Sequence, residues 1–161
     1  MVGNIQSVSR IPVNRWNGKL ICGYTSQNQL LLDLDNCSHF KACCLAKMIQ
    51  REWPEVGDCL IVRCAEDSHH LIFSSRISWS KISKIVDVLC GLHILEKDYM
   101  KIRRFRKDLT LRISPKVTED KNRGTPVPVA YLLNGKKNRG DNLILNYLEA
   151  LSCFRPELPQ P

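Results

Sequence analysis

The sequence lacks long apolar runs and any recognisable export signal. No stretch approaches the roughly 20 apolar residues that a membrane-spanning helix needs. Residues 1–16 have no apolar centre of the kind that a secretory signal carries. We therefore expect a protein that stays in the cytoplasm and does not bind a membrane.

Eight cysteines are present, but the features that would make them disulfide partners or zinc ligands are scarce. Without an export signal, the thiols are expected to be reduced. No two cysteines are separated by two or three residues, a spacing typical of zinc knuckles. The adjacent Cys43 and Cys44 would diverge by about 100° on a helix. We interpret the cysteines as small core residues.

Acidic residues are few relative to basic ones. The chain has 24 Lys and Arg against 16 Asp and Glu, which gives a formal net charge of +8. An excess of this size favours a partner that carries phosphate groups. The length of 161 residues and the hydrophobic fraction of 43% suit one globular domain with a tail, and argue against two domains or a disordered chain.

Alternating apolar runs and turn signals predict an α+β fold. Ser38 and Ser78 are suitable caps for two helices. The pattern of the first helix predicts that Phe40 faces the core, whereas Lys41 and Gln50 face solvent. In chain order, we predict an irregular lead-in over 1–18, a strand at 20–24, a strand at 28–34 that forms a hairpin with it, a helix at 38–53, strands at 58–64 and 69–74, a helix at 78–91, a strand at 109–113, an edge strand at 127–133 and a helix capped by Asp141.

From residue 28 to residue 113 the predicted order is β-α-β-β-α-β. This is the order of an RRM-like or ferredoxin-like palm, in which the first and third strands are antiparallel neighbours and the fourth flanks the first. The palm would occupy residues 1–114, with its core at 20–114 and an added N-terminal hairpin strand. A linker over 115–126 and a C-terminal strand-helix extension over 127–161 would follow.

Acidic and histidine residues gather at one predicted edge of the palm. The first palm strand ends in Asp33-Leu34-Asp35, and strand alternation points both carboxylates to one face. The third palm strand begins with Ser68-His69-His70, whose two imidazoles point to opposite faces. Asp98 lies in the segment that approaches the fourth strand. Carboxylates suit hard divalent cations, although Asp35 could instead cap the following helix.

Bases and aromatics alternate between residues 97 and 107. Two stackable rings, Tyr99 and Phe105, are interleaved with the bases, a composition typical of single-stranded nucleic-acid binding. A solvated basic face is the competing interpretation. The predicted nucleic-acid-binding residues are Lys97, Lys101, Arg103, Arg104, Arg106 and Lys107.

The order of these motifs resembles the catalytic core of the archaeo-eukaryotic primase superfamily, in particular the primase-polymerase branch of plasmid and virus replication proteins. The resemblance implies that Asp33, Asp35 and Asp98 hold two Mg²⁺ or Mn²⁺ ions. It also implies that His70, next to the matching Ser68, contacts the phosphates of the incoming nucleotide. Arg112 is a further donor near the same edge.

Two functions follow from these observations. The first is a primase-polymerase-like nucleotidyltransferase that acts on a nucleic-acid template in the replication of a mobile element, by two-metal phosphoryl transfer. Its partners would be nucleoside triphosphates and nucleic acid, together with a replication helicase or an initiator protein. The alternative is a noncatalytic RRM-like module that binds single-stranded nucleic acid. Whether the protein is an enzyme depends on which of the two holds.

Overall fold

Strands and helices are interspersed along the chain. The computed structural model describes residues 8–12, 20–97, 99, 103–117, 122–134 and 142–154. The strands are β1 (Val8–Pro12), β2 (Leu20–Ser26), β3 (Leu31–Leu34), β4 (Cys59–Ala65), β5 (Ser68–Phe73), β6 (Leu109–Arg112), β7 (Lys116–Val117), β8 (Asn122–Arg123) and β9 (Val127–Leu132). The helices are α1 (His39–Glu52), α2 (Trp79–Gly91), α3 (Arg103–Arg106) and α4 (Leu143–Ser152), and a 3-10 turn spans Pro54–Val56.

Antiparallel pairing organises the described strands into two main sheets. One sheet has the order β3-β5-β4-β9 and the other the order β1-β2-β6, while β7 and β8 form a short ribbon. The fold is therefore of the mixed α and β kind with antiparallel sheets, compatible with the α+β prediction. The first and third strands of the predicted palm, β3 and β5, are antiparallel neighbours as expected.

Both long helices of the palm begin where their serine caps predict. The Ser38 hydroxyl accepts a hydrogen bond from the Lys41 N–H, and the Ser78 hydroxyl accepts one from the Lys81 N–H. Each bond satisfies one of the N–H groups that the first turn of a helix leaves without a partner in the helix itself. Because Ser38 is the cap of α1, the alternative in which Asp35 caps this helix is wrong.

The predicted hairpin between residues 20–24 and 28–34 is wrong. β2 pairs with β1 on one side and with β6 on the other, and its partners there come from Leu109–Arg112. Part of the predicted irregular lead-in is consequently a strand, β1. Apolar alternation identifies a strand but carries no information about its partner. Closeness in sequence therefore suggested a pairing that the tertiary structure does not use.

The fourth palm strand also departs from the prediction. β6 lies close to β3, but it forms its hydrogen-bonded pairing with β2, where Leu111 is opposite Tyr24. The hydroxyl of Tyr99 forms hydrogen bonds with the Leu31 C=O and the Asp33 N–H, on the side of β3 that faces away from β5. These backbone groups are the ones that a neighbouring strand would need. The structure thus supports antiparallel β3-β5-β4 pairing, with β6 assigned to the other sheet.

Two C-terminal elements contact the four-stranded sheet, β9 by pairing with β4 and α4 by contact with β5. β9 is an edge strand as predicted, and it pairs with β4. The predicted linker is in part a ribbon, since β7 and β8 pair with each other. Asn142 caps α4 by accepting a hydrogen bond from the Ile144 N–H. The predicted cap, Asp141, lies outside the described residues.

The buried face of α1 differs from the predicted one. Phe40 is 76% exposed, whereas Gln50 is buried. The Gln50 amide donates to the Gly57 C=O and the Leu132 C=O, at 3.1 and 2.9 Å. A polar side chain can be buried when its hydrogen bonds are met in this way. Small residues, Ala42 and Ala46, occupy the middle of the buried face, so α1 can approach the sheet closely.

Side chains on both faces of the central sheet are buried. On one face α1 approaches β5, and His69 lies beside Cys37 and His39. On the other, α4 contacts β5, and the ring of Tyr147 packs edge-on against Tyr24 at 5.4 Å between centroids. All eight cysteines are free, and two of them are buried. Within the described residues, no helix is long and apolar enough to cross a membrane.

A buried polar bridge connects the two main sheets. The Tyr24 hydroxyl on β2 donates to Gln29 Oε1 at 2.9 Å, and Gln29 Nε2 donates to the Phe73 C=O on β5 at 2.7 Å. Both side chains are almost completely inaccessible to solvent. The bridge gives β2 a fixed position relative to β5 without direct pairing between the two strands.

Replacing Gln29 by Met should destabilise the protein by about 1–3 kcal/mol, because the buried hydroxyl and carbonyl lose their partner while the side-chain length is kept. Urea unfolding followed by circular dichroism measures the change. Gln27→Met, at an exposed position two residues away, should change the free energy of unfolding by less than about 0.5 kcal/mol. Equal effects from the two substitutions would show that the bridge adds no stability.

Candidate active site

Asp33 and Asp35, which supply the two predicted carboxylates, both line one cleft. Asp33 and Asp35, at and just after the end of β3, line a cavity of about 680 Å³ together with Lys41 and Leu45 of α1. The opposite wall is formed by the segment that follows α2. That segment contributes His93, Ile94, Leu95, Glu96, Lys97 and Tyr99.

His70 and Ser68 lie next to these carboxylates. In the register of β3 and β5, His70 is opposite Asp33, so both side chains share one face of the sheet. His70 Nε2 is 3.5 Å from Asp33 Oδ1, and its side chain is 4% exposed while that of Asp33 is 40% exposed. The Ser68 hydroxyl donates to Asp35 Oδ1 at 3.3 Å. Four predicted site residues are thus adjacent in space.

The remaining predicted site residues are placed differently. Asp98 lies outside the described residues. Arg112 directs its guanidinium at backbone carbonyls, donating to Ser114 and, at 3.0 Å, to Gly124. Among the described residues that line the cleft, Arg112 is absent. Arg112 and Asp33 nevertheless both lie near enough to the buried Tyr147 hydroxyl to influence its pKa, which burial raises.

Part of the predicted nucleic-acid-binding segment borders the cleft and part extends from it. Lys97 is a lining residue of the cleft. Phe105 is 92% exposed, and Arg106 and Lys107 beside it are exposed as well. Arg103 and Arg104 begin α3, whereas Lys101 lies outside the described residues. An exposed ring among bases is the arrangement that stacking on a nucleobase requires.

The sequence pattern did not identify Lys41 as a site residue. The helical pattern predicted that Lys41 faces solvent, and it is exposed. From the first turn of α1 it also lines the same cavity as Asp33 and Asp35. Its position soon after Asp33-Leu34-Asp35 was the available signal. Asn36 and His93 line the cleft with backbone φ angles of 53° and 59°, and Asn and His are among the residue types that tolerate this left-handed region.

The donor chemistry of the cleft fits a hard divalent cation. Mg²⁺ is commonly bound through one or two carboxylates, with waters and substrate phosphates completing its coordination. Asp33 and Asp35 supply two such carboxylates in the lining of the cleft. Within the part of the chain that the structure describes, no three His, Cys, Asp or Glu side chains form a metal-binding group. Protein ligands at this cleft would therefore be two described carboxylates, and Asp98 if the resemblance holds.

His69 is on the opposite face from the carboxylates and has a structural environment. Its Nδ1 donates to the Cys37 C=O at 2.8 Å, and its ring centroid is 5.7 Å from that of His39. Burial lowers the pKa of His69, an effect that nearby His39 and Arg63 increase and the Cys37 carbonyl opposes. A neutral ring with a fixed Nδ1–H therefore connects β5 to the loop before α1.

No family model, curated protein or solved structure matches this chain. The functional interpretation consequently depends on the residues of the cleft and on their geometry.

Acidification should destabilise the protein partly through His69. Because the folded-state pKa of His69 is below its ordinary value of 6.5, the unfolded chain binds a proton at this ring more readily than the folded protein does. The associated stability is present above pH 6.5 and is lost as the pH falls through the folded-state pKa. In His69→Asn, whose amide can still donate to the Cys37 carbonyl, the free energy of unfolding should fall less between pH 7 and pH 5.

Urea unfolding at both pH values gives this difference. Equal pH dependence in the wild type and in His69→Asn would contradict the assignment.

Proposed function

We propose that the protein is a nucleotidyltransferase that resembles the primase-polymerases and binds a nucleoside triphosphate in the cleft at the end of β3. The observation that carries the proposal is the placement of Asp33 and Asp35 in one cleft, with His70 and Ser68 beside them. These residues come from two strands that are separated by more than 30 positions in sequence. The family resemblance, which assigns Asp33 and Asp35 to metal ions, supports the proposal.

Opposite charges meet in the cleft. Asp33 and Asp35 provide a negative pair suited to a divalent cation. Lys41 and Lys97 line the same cavity and provide positive charge for phosphate oxygens. A triphosphate with its cation requires both kinds of group within one site.

Two residues of β5, His70 and Ser68, lie next to the carboxylates of Asp33 and Asp35. His70 is buried against Asp33, and Ser68 donates to Asp35, so each carboxylate has a neighbour that restricts its rotation. Oriented carboxylates hold a cation with less loss of conformational freedom than mobile ones. The exposed lysines, which reach the cavity directly, are better placed than His70 for contacts with phosphate oxygens.

Mg²⁺ or Mn²⁺ would be held by Asp33 and Asp35, together with Asp98 by resemblance, and would supply Lewis-acid stabilisation of the phosphate charge during transfer. The chain itself would contribute orientation of the nucleotide between the carboxylates and the lysines. The basic segment that begins at Lys97 would hold the template strand beside the cleft, with Phe105 available for stacking.

The alternative function, a noncatalytic RRM-like module, is less well supported. Such modules stack bases on an open face of the sheet. Leu60, Val62 and Ile72 point to the face that carries His70, and all three are buried. A base could not stack there without displacing the packing. Binding of nucleic acid would instead use the exposed basic segment, which serves the catalytic proposal equally well.

Asp33→Asn and Asp35→Asn should each abolish metal-dependent nucleotide incorporation while the fold remains, because Asn keeps the shape of the side chain and removes the charge that a divalent cation requires. Primer synthesis and primer extension with Mg²⁺ or Mn²⁺ and all eight nucleotides measure the activity, and circular dichroism checks the fold. Glu149→Gln, on α4 and away from the cleft, should leave the activity unchanged. A wild-type protein that incorporates no nucleotide under any of these conditions would contradict the proposal.

Binding to single-stranded nucleic acid should depend steeply on salt, because each phosphate that a basic side chain neutralises releases a counterion. Replacing Arg103, Arg104 and Arg106 by Ala should reduce the slope of log K against log salt by about 0.7 for each phosphate that is no longer neutralised. Fluorescence anisotropy at several salt concentrations measures the slope.

A matched control removes three bases from the two long helices, Lys47, Arg51 and Lys84, which lie outside the basic segment. This control should keep the wild-type slope. A larger effect from the control than from the arginine variant would place the binding surface elsewhere.

A further inference from the structure

The backbone of β3 directs some of its N–H and C=O groups to the side away from β5. The Phe73 N–H donates to the Leu30 C=O, which fixes the alternation of the ladder. Residues 30, 32 and 34 direct their N–H and C=O groups at β5, and residues 31 and 33 direct theirs outward. The Leu31 C=O and the Asp33 N–H are therefore two of these outward groups.

The Tyr99 hydroxyl occupies the place of a neighbouring strand at this edge. It donates to the Leu31 C=O at 3.0 Å and accepts a hydrogen bond from the Asp33 N–H at 3.3 Å. Tyr99 is half-buried against the core, and its own N–H donates to the Glu96 C=O at 2.9 Å. One hydroxyl thus joins the wall of the cleft that follows α2 to the backbone of Asp33.

We propose that Tyr99 is a positioning residue for Asp33, and that it sets the affinity of the cleft for a divalent cation. The inference rests on the proposed function, in which Asp33 is a metal ligand. Asp33 is the last residue but one of a four-residue strand, and strand ends fray unless their backbone groups are held. The Tyr99 hydroxyl holds the backbone on one side while the pairing with His70 holds it on the other. Groups that orient a ligand in this way commonly change metal affinity by about 10- to 100-fold.

Tyr99→Phe tests the inference, since it removes the hydroxyl and keeps the ring in the core. Titration of the full chain with Mn²⁺, followed by electron paramagnetic resonance, should give a dissociation constant at least about 10-fold higher than in the wild type. Tyr131→Phe is the matched control. The Tyr131 hydroxyl also has two partners, donating to Asp58 Oδ2 at 3.0 Å and accepting from Asn142 Nδ2 at 3.3 Å, but it belongs to β9. The control should keep the wild-type Mn²⁺ affinity.

Amide hydrogen exchange provides a readout that does not depend on metal. The Asp33 N–H should be protected in the wild type and should exchange faster in Tyr99→Phe, whereas amides in the middle of β4 should keep their protection. An unprotected Asp33 amide in the wild type would overturn the inference, even if Tyr99→Phe were too unstable to study.

The outcomes separate this inference from the proposed function. Mn²⁺ binding that is lost in Asp33→Asn and weakened in Tyr99→Phe supports both. Binding that is lost in Asp33→Asn but equal in Tyr99→Phe and Tyr131→Phe overturns the role of Tyr99 and leaves the proposed function standing. A wild type that binds no Mn²⁺ overturns the metal site of the proposed function, and the role of Tyr99 with it.

Discussion

The pairing of β3 with β5 determines which side chains of β3 lie beside His70 and which lie beside His69. In the observed register Asp33 is opposite His70, and Leu34 is opposite His69. A slip of one residue would move every side chain of β3 to the other face. Asp33 would then point at the face that α1 covers, and Leu34 would take the place beside His70. Burial of apolar side chains on both faces of these strands makes such a slip costly.

Side chains, more than backbone pairing, connect the central sheet to the elements around it. Gln29 joins β2 to β5 through two buried hydrogen bonds. Tyr99 forms hydrogen bonds with two backbone groups on the edge of β3 that faces away from β5. A hydroxyl occupies part of the edge that a strand could have used, and β6 pairs with β2. The carboxylate end of β3 consequently borders a cavity and does not continue into a wider sheet.

The cleft contains a pair of acidic residues, although the chain as a whole is basic. The protein carries a formal net charge of +8, yet two carboxylates are placed together at the end of β3. Lys41 and Lys97 are close enough to line the same cavity, which moderates the repulsion between the acids. The surrounding positive charge would raise the local concentration of an anionic nucleotide, while the acids would retain its cation.

The sequence alone determined the local features of this protein. Ser38 and Ser78 specify where two helices begin, because a hydroxyl cap acts on the backbone three residues away. The alternation of side chains along a strand likewise predicted that one histidine of β5 would share the face of Asp33. The family resemblance indicated that this histidine is His70. Partners distant in sequence were decided by the tertiary structure. The pairing of β2 with β6, the burial of Gln50 and the place of Lys41 in the cleft depend on packing between segments that a periodic pattern does not relate. The periodicity of the sequence around a residue indicates which way its side chain faces. The residues that this side chain contacts are determined by the packing of the rest of the chain.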